Sequence, residues 1–412
     1  MKVLIFGGSG KIGAAVAWDL VKEEDVETVG IIGRREDSLK NTTAWLASSK
    51  IKPYVLDIAD KPEVKRLMQK YDVGVIALPD RKASYKVVEM AIENDLNIID
   101  MLEEYHRRPD PYEIEGLEIP DGMGIEDYGE WLHEKALQHN VTFLDGMGFA
   151  PGISNITLGE GIRKLDKAES AIARVGGIPS KTTAEKHPLK YMITWSFEHV
   201  LREYMIRVKV IKSGEIVEVE AVSDLERFEF SEFGQDEALE CAITPGMPSF
   251  IFTRPNLDEF AEKTIRWPGH WQGIEVLKEC GLLDLQPIEV RSVQIAPREF
   301  LLAAIEPKLR PFAGDTDVCV MWNTAVGIKN DQKTKIGYYL WAEADPKNKL
   351  SAMARVTGLS TAIGALFIGR GMITIKGIVS PEDGIKGELY ESFIGELEKR
   401  DIRVLERTEF VD

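Results

Sequence analysis

The chain is predicted to be an α/β protein, a doubly wound parallel sheet joined to a second α+β domain with a mostly antiparallel sheet. Two observations carry this expectation. From Lys2 to Leu144 short apolar strands alternate with helical patterns, the signature of parallel strands linked by crossover helices. Beyond Asp145 that alternation stops, and strands with two-residue periodicity take over. A length of 412 residues also exceeds one typical hydrophobic core.

The opening strand Lys2–Phe6 feeds the turn Gly7-Gly8-Ser9-Gly10-Lys11-Ile12-Gly13, and an amphipathic run follows from Ala14 to Lys22. Strand, glycine-rich turn and helix in that order suit a dinucleotide pyrophosphate, because backbone amides and the positive helix end point at the phosphates. Gly8 is expected to make the tight turn, Gly10 to admit the phosphates and Gly13 to let helix and strand pack. A compact turn with no ligand is the competing reading. The next strand, Thr28–Ile32, runs into Gly33-Arg34-Arg35. A pair of cations at this place suits a 2′-phosphate, so NADP is expected, with NAD as the alternative. Solvated surface arginines are the plain reading, with Glu36 and Asp37 close by.

The alternation continues with Lys52–Leu56, a helix whose start shows Asp60 and Glu63 at capping-box spacing, and Val73–Leu78. A helix from about Ser84 to Asn94, the strand Asn97–Asp100, a helix near Asp127–His139 and the strand Val141–Leu144 complete it. Ligands of such sheets gather beyond the carboxyl ends of the strands, which places Asp57, Leu78, Pro79, Asp100 and Asp145 around the cofactor. The tract from Glu103 to Tyr112 and on to Gly129 is long for a connection; a lid and a surface excursion both fit.

The expected domains are 1–148, 149–350 and a C-terminal segment 351–412 that returns to the first. The second is expected to hold strands at Ala171–Val175, Met192–Trp195, a hairpin from Arg207, and Val318–Trp322 paired with Gly337–Trp341. A helix from Ser351 to about Gly369, the segment Thr374–Lys376, a charged helix to Lys399 and a strand Ile402–Leu405 close the chain.

A net charge of −17 argues against a nucleic-acid or anionic-membrane partner, both of which need a positive field. No apolar run approaches the roughly 20 residues of a membrane span, and no signal peptide is apparent, so a cytoplasmic location is expected. Cys241, Cys280 and Cys319 are read as buried thiols, since their spacing suggests neither disulfides nor a metal site.

Six segments in order resemble the saccharopine dehydrogenase family. They are the opening turn, Gly148-Phe-Ala-Pro-Gly-Ile-Ser-Asn155, Val175-Gly-Gly-Ile-Pro179, His187–Ser196, Ile265-Arg-Trp-Pro-Gly269 and Ala354-Arg-Val-Thr-Gly358. The similarity runs from about Lys2 to Arg400 and is nearest to the lysine 6-dehydrogenase-like branch. It implies a Rossmann domain joined to an α+β domain, a homodimer, and NADP or NAD moving hydride at a carbon that bears nitrogen. Ala150 and Val175 stand where saccharopine-forming relatives usually carry an acid and a cysteine, which tips the expectation towards a lysine-like substrate. The alternatives are a saccharopine or carboxynorspermidine dehydrogenase and a regulatory protein that binds NADP(H) without turnover.

Amine oxidation needs a base for the ammonium proton. Asp145 is the first candidate for that role, or for anchoring the amine, with Asp100 as competitor; either aspartate equally suits a cap. An amino-acid carboxylate calls for a forked cation, for which Arg266 is the best placed, with Lys190 and Tyr191 as second choices. His187 and His270 suit proton transfer or a purely structural place. Trp195, Ser196, Thr357 and Gly358 are expected to line the site, and Arg355 to bind an anion or join an ion pair.

Overall fold

The computed structural model describes residues 1–111 and 114–411, so that Tyr112, at the end of the quoted long tract, lies outside the described residues. The first elements are β1 (Lys2–Phe6), α1 (Lys11–Leu20), β2 (Thr28–Gly33), α2 (Glu36–Leu46), β3 (Ile51–Val55), α3 (Lys61–Met68), β4 (Val73–Ile76), α4 (Arg81–Ile92), β5 (Asn97–Asp100), α5 (Ile125–Gln138), β6 (Thr142–Leu144) and α6 (Ile153–Arg163). Then come β7 (Lys167–Pro179), β8 (Arg207–Lys212), β9 (Glu215–Glu220), β10 (Glu226–Phe230), β11 (Glu237–Ile243), β12 (Glu259–Arg266), β13 (Ile288–Val290), β14 (Val293–Ile295), β15 (Asp317–Lys329) and β16 (Gln332–Glu343). The helix Ala352–Gly369, β17 (Gly377–Val379), the helix Glu388–Lys399 and β18 (Leu405–Phe410) follow. Two compact units result: Met1–Glu160 with Met247–Thr253 and Ala354–Ile402, and Gly161–Gly246 with Arg254–Met353 and Arg403–Asp412.

The first unit is built on a seven-stranded parallel sheet of order β17-β6-β5-β4-β1-β2-β3. Val3–Phe6 are wholly buried, as strands covered on both faces by crossover helices must be. The strand order reverses between β1 and β4, and in such sheets a crevice opens beyond the strand ends at that point. Asp60 caps α3 as its spacing predicts, its Oδ1 accepting the Glu63 N–H at 3.3 Å, an interaction of about 1 kcal/mol.

The second unit carries a nine-stranded sheet whose main path runs β10-β11-β12-β7-β15-β16-β18, with β8 on β12 and β9 on β8. Only the β12–β7 pair is parallel. The β8–β9 hairpin turns at Ser213 and Gly214, both left-handed (φ 51° and 79°), which matches the twist of the flanking strands. Aromatic and aliphatic side chains from β10, β11, β12, β15 and β16 form one cluster around Phe228, Phe230, Trp267 and Tyr339.

Several expectations are corrected. Met192–Trp195 is not a strand: Tyr191 and Met192 are buried by packing, and Ile193 donates its N–H to Leu309 at 2.9 Å without joining a ladder. The segment Thr374–Lys376 leads into the strand Gly377–Val379, which extends the parallel sheet. The last strand is Leu405–Phe410, not Ile402–Leu405, and pairs with β16 rather than returning to the first sheet. Cys280 is exposed, because it caps the solvent end of the helix His270–Glu279, while Cys241 and Cys319 are buried. By length and composition the helix Ala352–Gly369, of mean hydropathy 1.4, could cross a membrane, but 89% of it is buried within the protein.

Candidate active site

The opening turn forms at the carboxyl end of β1. Gly7 and Gly8 both donate their N–H to Ile32 O at 3.1 Å, and Gly10 donates to Gly7 O at 2.9 Å. Gly7, not Gly8, takes the left-handed conformation (φ 81°). A Cβ on Gly8 would stand 2.7 Å from Ile31 Cβ, and one on Gly13 would stand 2.5 Å from Gly7 O. Gly8 and Gly13 thus keep the turn flat against β2 and α1, while Gly10 is exposed at the α1 N-terminus. No side chain caps that terminus, so its amides and its positive dipole end are left for an anion.

Two other strand ends meet this turn, and a third lies beside them. Ser9 lies against Gly33, and Leu78 against Gly7. Leu56 donates its N–H to Gly33 O at 3.1 Å, bringing the end of β3 beside β2. Lys11 is exposed and Ile12 half-buried. Arg34 and Arg35 are exposed, and neither guanidinium has an ion-pair partner among the described residues. Asp57 is exposed and accepts the Ala59 N–H at 3.0 Å, which fixes its own turn, and Pro79 is exposed at the end of β4.

Asp100 and Asp145, at the ends of β5 and β6, are brought together around His106. The Asp145 carboxylate accepts the His106 backbone N–H at 2.7 Å and the ring Nδ1–H at 2.8 Å. Asp100 Oδ1 accepts the Gly146 N–H at 2.7 Å, and its Oδ2 lies 3.9 Å from His106 Nδ1. All three side chains are 0% exposed. Burial, reinforced by the Asp145 charge, pushes the Asp100 carboxyl up to about 7, and burial raises Asp145 well above the usual carboxylate range. Burial also holds the His106 imidazole below its ordinary value. Glu104, pushed up to about 7 by burial, accepts the Tyr85 hydroxyl at 2.7 Å beside them. In this structure the aspartates are therefore spent on an internal network and present no surface to a substrate.

Arg266, the last residue of β12, lies in the second unit among aromatic rings. Its Nε donates to the Tyr204 hydroxyl at 3.2 Å, and its guanidinium carbon stands 5.3 Å from the Tyr191 ring centre and 5.9 Å from that of Trp271. It is buried and has no carboxylate partner among the described residues. The Tyr191 hydroxyl, also buried, has no hydrogen-bond partner among them either. His270 Nδ1 donates to Leu189 O at 3.0 Å, which leaves Nε2 to accept the Tyr204 hydroxyl at 3.3 Å. Arg266 Nη1 donates to Ile265 O at 3.0 Å, and the Glu203 charge acts on the guanidinium without a salt-bridge contact among the described residues. A buried guanidinium that still has donors free suits a carboxylate.

Residues 3–120 match the saccharopine dehydrogenase NADP binding domain, and residues 148–402 match the saccharopine dehydrogenase C-terminal domain. The chain belongs to the saccharopine dehydrogenase family. Alpha-aminoadipic semialdehyde synthase of Arabidopsis thaliana is 26% identical to it over 183 residues, 41% of this chain. The chain spans only 16% of that relative's length. Apo saccharopine dehydrogenase (L-Glu forming) of Saccharomyces cerevisiae shares the fold at a TM-score of 0.78 and 18% identity, each chain covered to 99%.

The NADP binding domain matched by residues 3–120 makes NADP the cofactor of this chain, and the residues present fit it. The uncapped α1 terminus with Gly8, Ser9 and Gly10 would hold the pyrophosphate, and the unpaired Arg34 and Arg35 the 2′-phosphate.

Other expected site residues lie elsewhere. Gly358 lets its helix approach α1, since a Cβ there would stand 2.8 Å from Ala15 Cβ; it is a packing contact, not a ligand approach. Its neighbours Ser360 and Thr361 donate to Gly148 O and Met147 O at 2.9 and 2.6 Å, and Thr357 is buried. Arg355 donates to the carbonyls of Arg400 and Asp401 at the end of the helix Glu388–Lys399. His187 has one ring nitrogen 2.9 Å from Lys308 O and the other 2.8 Å from Asp315, and it stacks on Phe312. Lys190 is exposed in a left-handed turn (φ 46°), Trp195 is half-buried and Ser196 exposed.

Sequence reasoning missed His106, Glu104, Tyr85 and Tyr204. The Glu104-Tyr105-His106 triplet was the available signal: polar residues clustered just past a strand end. All three are buried, so this part of the long tract is packed into the first unit and is not a lid.

Proposed function

We propose that the chain is an NADP-dependent oxidoreductase acting on a C–N bond of a lysine-like amino acid. Arg266 carries this reading: a buried guanidinium with no salt bridge among the described residues, packed on the ring of Tyr191, whose own hydroxyl has no partner among them, suits a carboxylate. When bound, NADP supplies the hydride acceptor for the carbon that bears nitrogen. Arg266 holds the carboxylate with the Tyr191 hydroxyl as second donor, Tyr204 fixes the guanidinium, and the Tyr191 and Trp271 rings exclude water around it. Family membership supports the reaction class, and the apolar Ala150 and Val175 favour lysine over saccharopine.

The test is formation of reduced cofactor, followed by absorbance, from NADP with L-lysine, saccharopine or cadaverine, the last a diamine without a carboxylate. Lysine turnover is expected, and Arg266→Gln should raise KM for lysine roughly 10- to 100-fold, the worth of a charged hydrogen bond, while leaving the slow reaction of cadaverine within about twofold. No turnover with any of the three, or equal losses for lysine and cadaverine, would refute the assignment.

A further inference from the structure

The network at the ends of β5 and β6 has a property that hydrogen bonding alone does not account for. Each of its three side chains uses one atom to fix itself and turns another to a common point. Asp100 fixes Oδ1 on the Gly146 N–H at 2.7 Å, Asp145 fixes Oδ2 on the His106 N–H at 2.7 Å, and His106 sets Nε2 3.3 Å from the Ser84 hydroxyl. The remaining atoms, Asp100 Oδ2, Asp145 Oδ1 and His106 Nδ1, face one another. Nδ1 lies 2.8 Å from Asp145 Oδ1 and 3.9 Å from Asp100 Oδ2, and one ligand atom from each residue falls within 4.8 Å of the others. Asp100 Oδ2 is wholly buried yet has no hydrogen-bond partner among the described residues, although it points into this cluster.

We propose that Asp100, His106 and Asp145 form a buried site for one zinc(II) ion. Bonds of about 2.0–2.2 Å put neighbouring ligand atoms roughly 3.0–3.5 Å apart, and the two observed separations bracket that range. Two carboxylates and a neutral imidazole balance a divalent charge, and one nitrogen with two oxygens is a ligand set zinc accepts. Zinc binds Nδ1 of the neutral imidazole, whose single proton shifts from Nδ1 to Nε2 and is donated to the Ser84 oxygen, while any proton held by the two carboxyl groups passes to solvent as the ion enters. The bound ion ties the ends of β5 and β6 to the segment after β5 and supplies the orphaned Asp100 oxygen with a partner. The proposal is independent of the substrate assignment.

The experiment uses the untagged full chain, stripped with chelator, equilibrated with zinc chloride and freed of unbound metal by gel filtration. Elemental analysis should find about one zinc per chain and calorimetry a single site, with affinity lowered at least tenfold, roughly, in Asp100→Asn and His106→Ala. Asp100→Asn keeps an oxygen for the Gly146 N–H, so it remains informative if His106→Ala does not fold. Wild-type protein that retains no zinc, or variants that retain as much as wild type, would overturn the site.

Discussion

His270 is the group whose burial has the most readable consequence for stability. It is wholly buried, and burial, with the Arg266 charge adding to it, pushes its pKa from 6.5 down to about 3. The unfolded chain therefore binds a proton here between those two values while the folded chain does not. The stability this provides is complete above the unfolded value of 6.5 and is lost as pH falls towards the folded value near 3. At about pH 5 the chain is roughly 1.5 units below the unfolded value, a loss of about 2 kcal/mol. In a unit of about 200 residues that equals roughly 4–8 °C of melting temperature.

The informative substitution is His270→Asn, whose amide can still donate to Leu189 O but cannot titrate. It removes ring contacts with Tyr191, Tyr204 and Trp271, so the variant should melt below wild type at about pH 7.5, by roughly 1–3 kcal/mol. Between that pH and about pH 5, scanning calorimetry should show wild type losing roughly 4–8 °C more than the variant. Parallel losses would mean that His270 is not held neutral by its surroundings, and the argument would fail.

Two further expectations concern the cofactor and the fold. Replacing both Arg34 and Arg35 by Ala should weaken NADP about 10- to 100-fold in a calorimetric titration and leave NAD within about twofold; equal effects on both would separate these residues from the 2′-phosphate. Asp317 accepts the Ala352 and Met353 N–H groups at 2.6 and 3.0 Å at the start of the helix Ala352–Gly369 and is itself buried, so Asp317→Ala should cost about 2 kcal/mol in urea denaturation, and a loss under about 0.5 would discount this cap.

Local features of the fold were the legible ones. The strand, turn and helix from Lys2 to Leu20 are contiguous, and so are the Asp60 cap and the Arg207 hairpin, so each leaves its pattern in adjacent residues. The role of Gly358 was not legible, because the atom it makes room for is on Ala15. Met192–Trp195 has strand composition, yet packing side chains bury it where no neighbouring strand offers a ladder. In the site, the aspartates could be placed at strand ends from alternation alone. Their partner His106 could not: it meets Asp145 across 39 residues of chain, and no periodicity records that contact.

β17 joins the parallel sheet beside β6, although more than 200 residues separate the two in the chain. On the ribosome, at about 5–20 residues per second, β6 therefore waits some tens of seconds or less with one rim of peptide groups open before its neighbour emerges. Over that interval the nascent nucleotide-binding half offers a free template to any other extended chain. The same connectivity means that a fragment cut after the first six strands would keep this rim permanently unpaired, so excising that half at its apparent end would trade solubility for size.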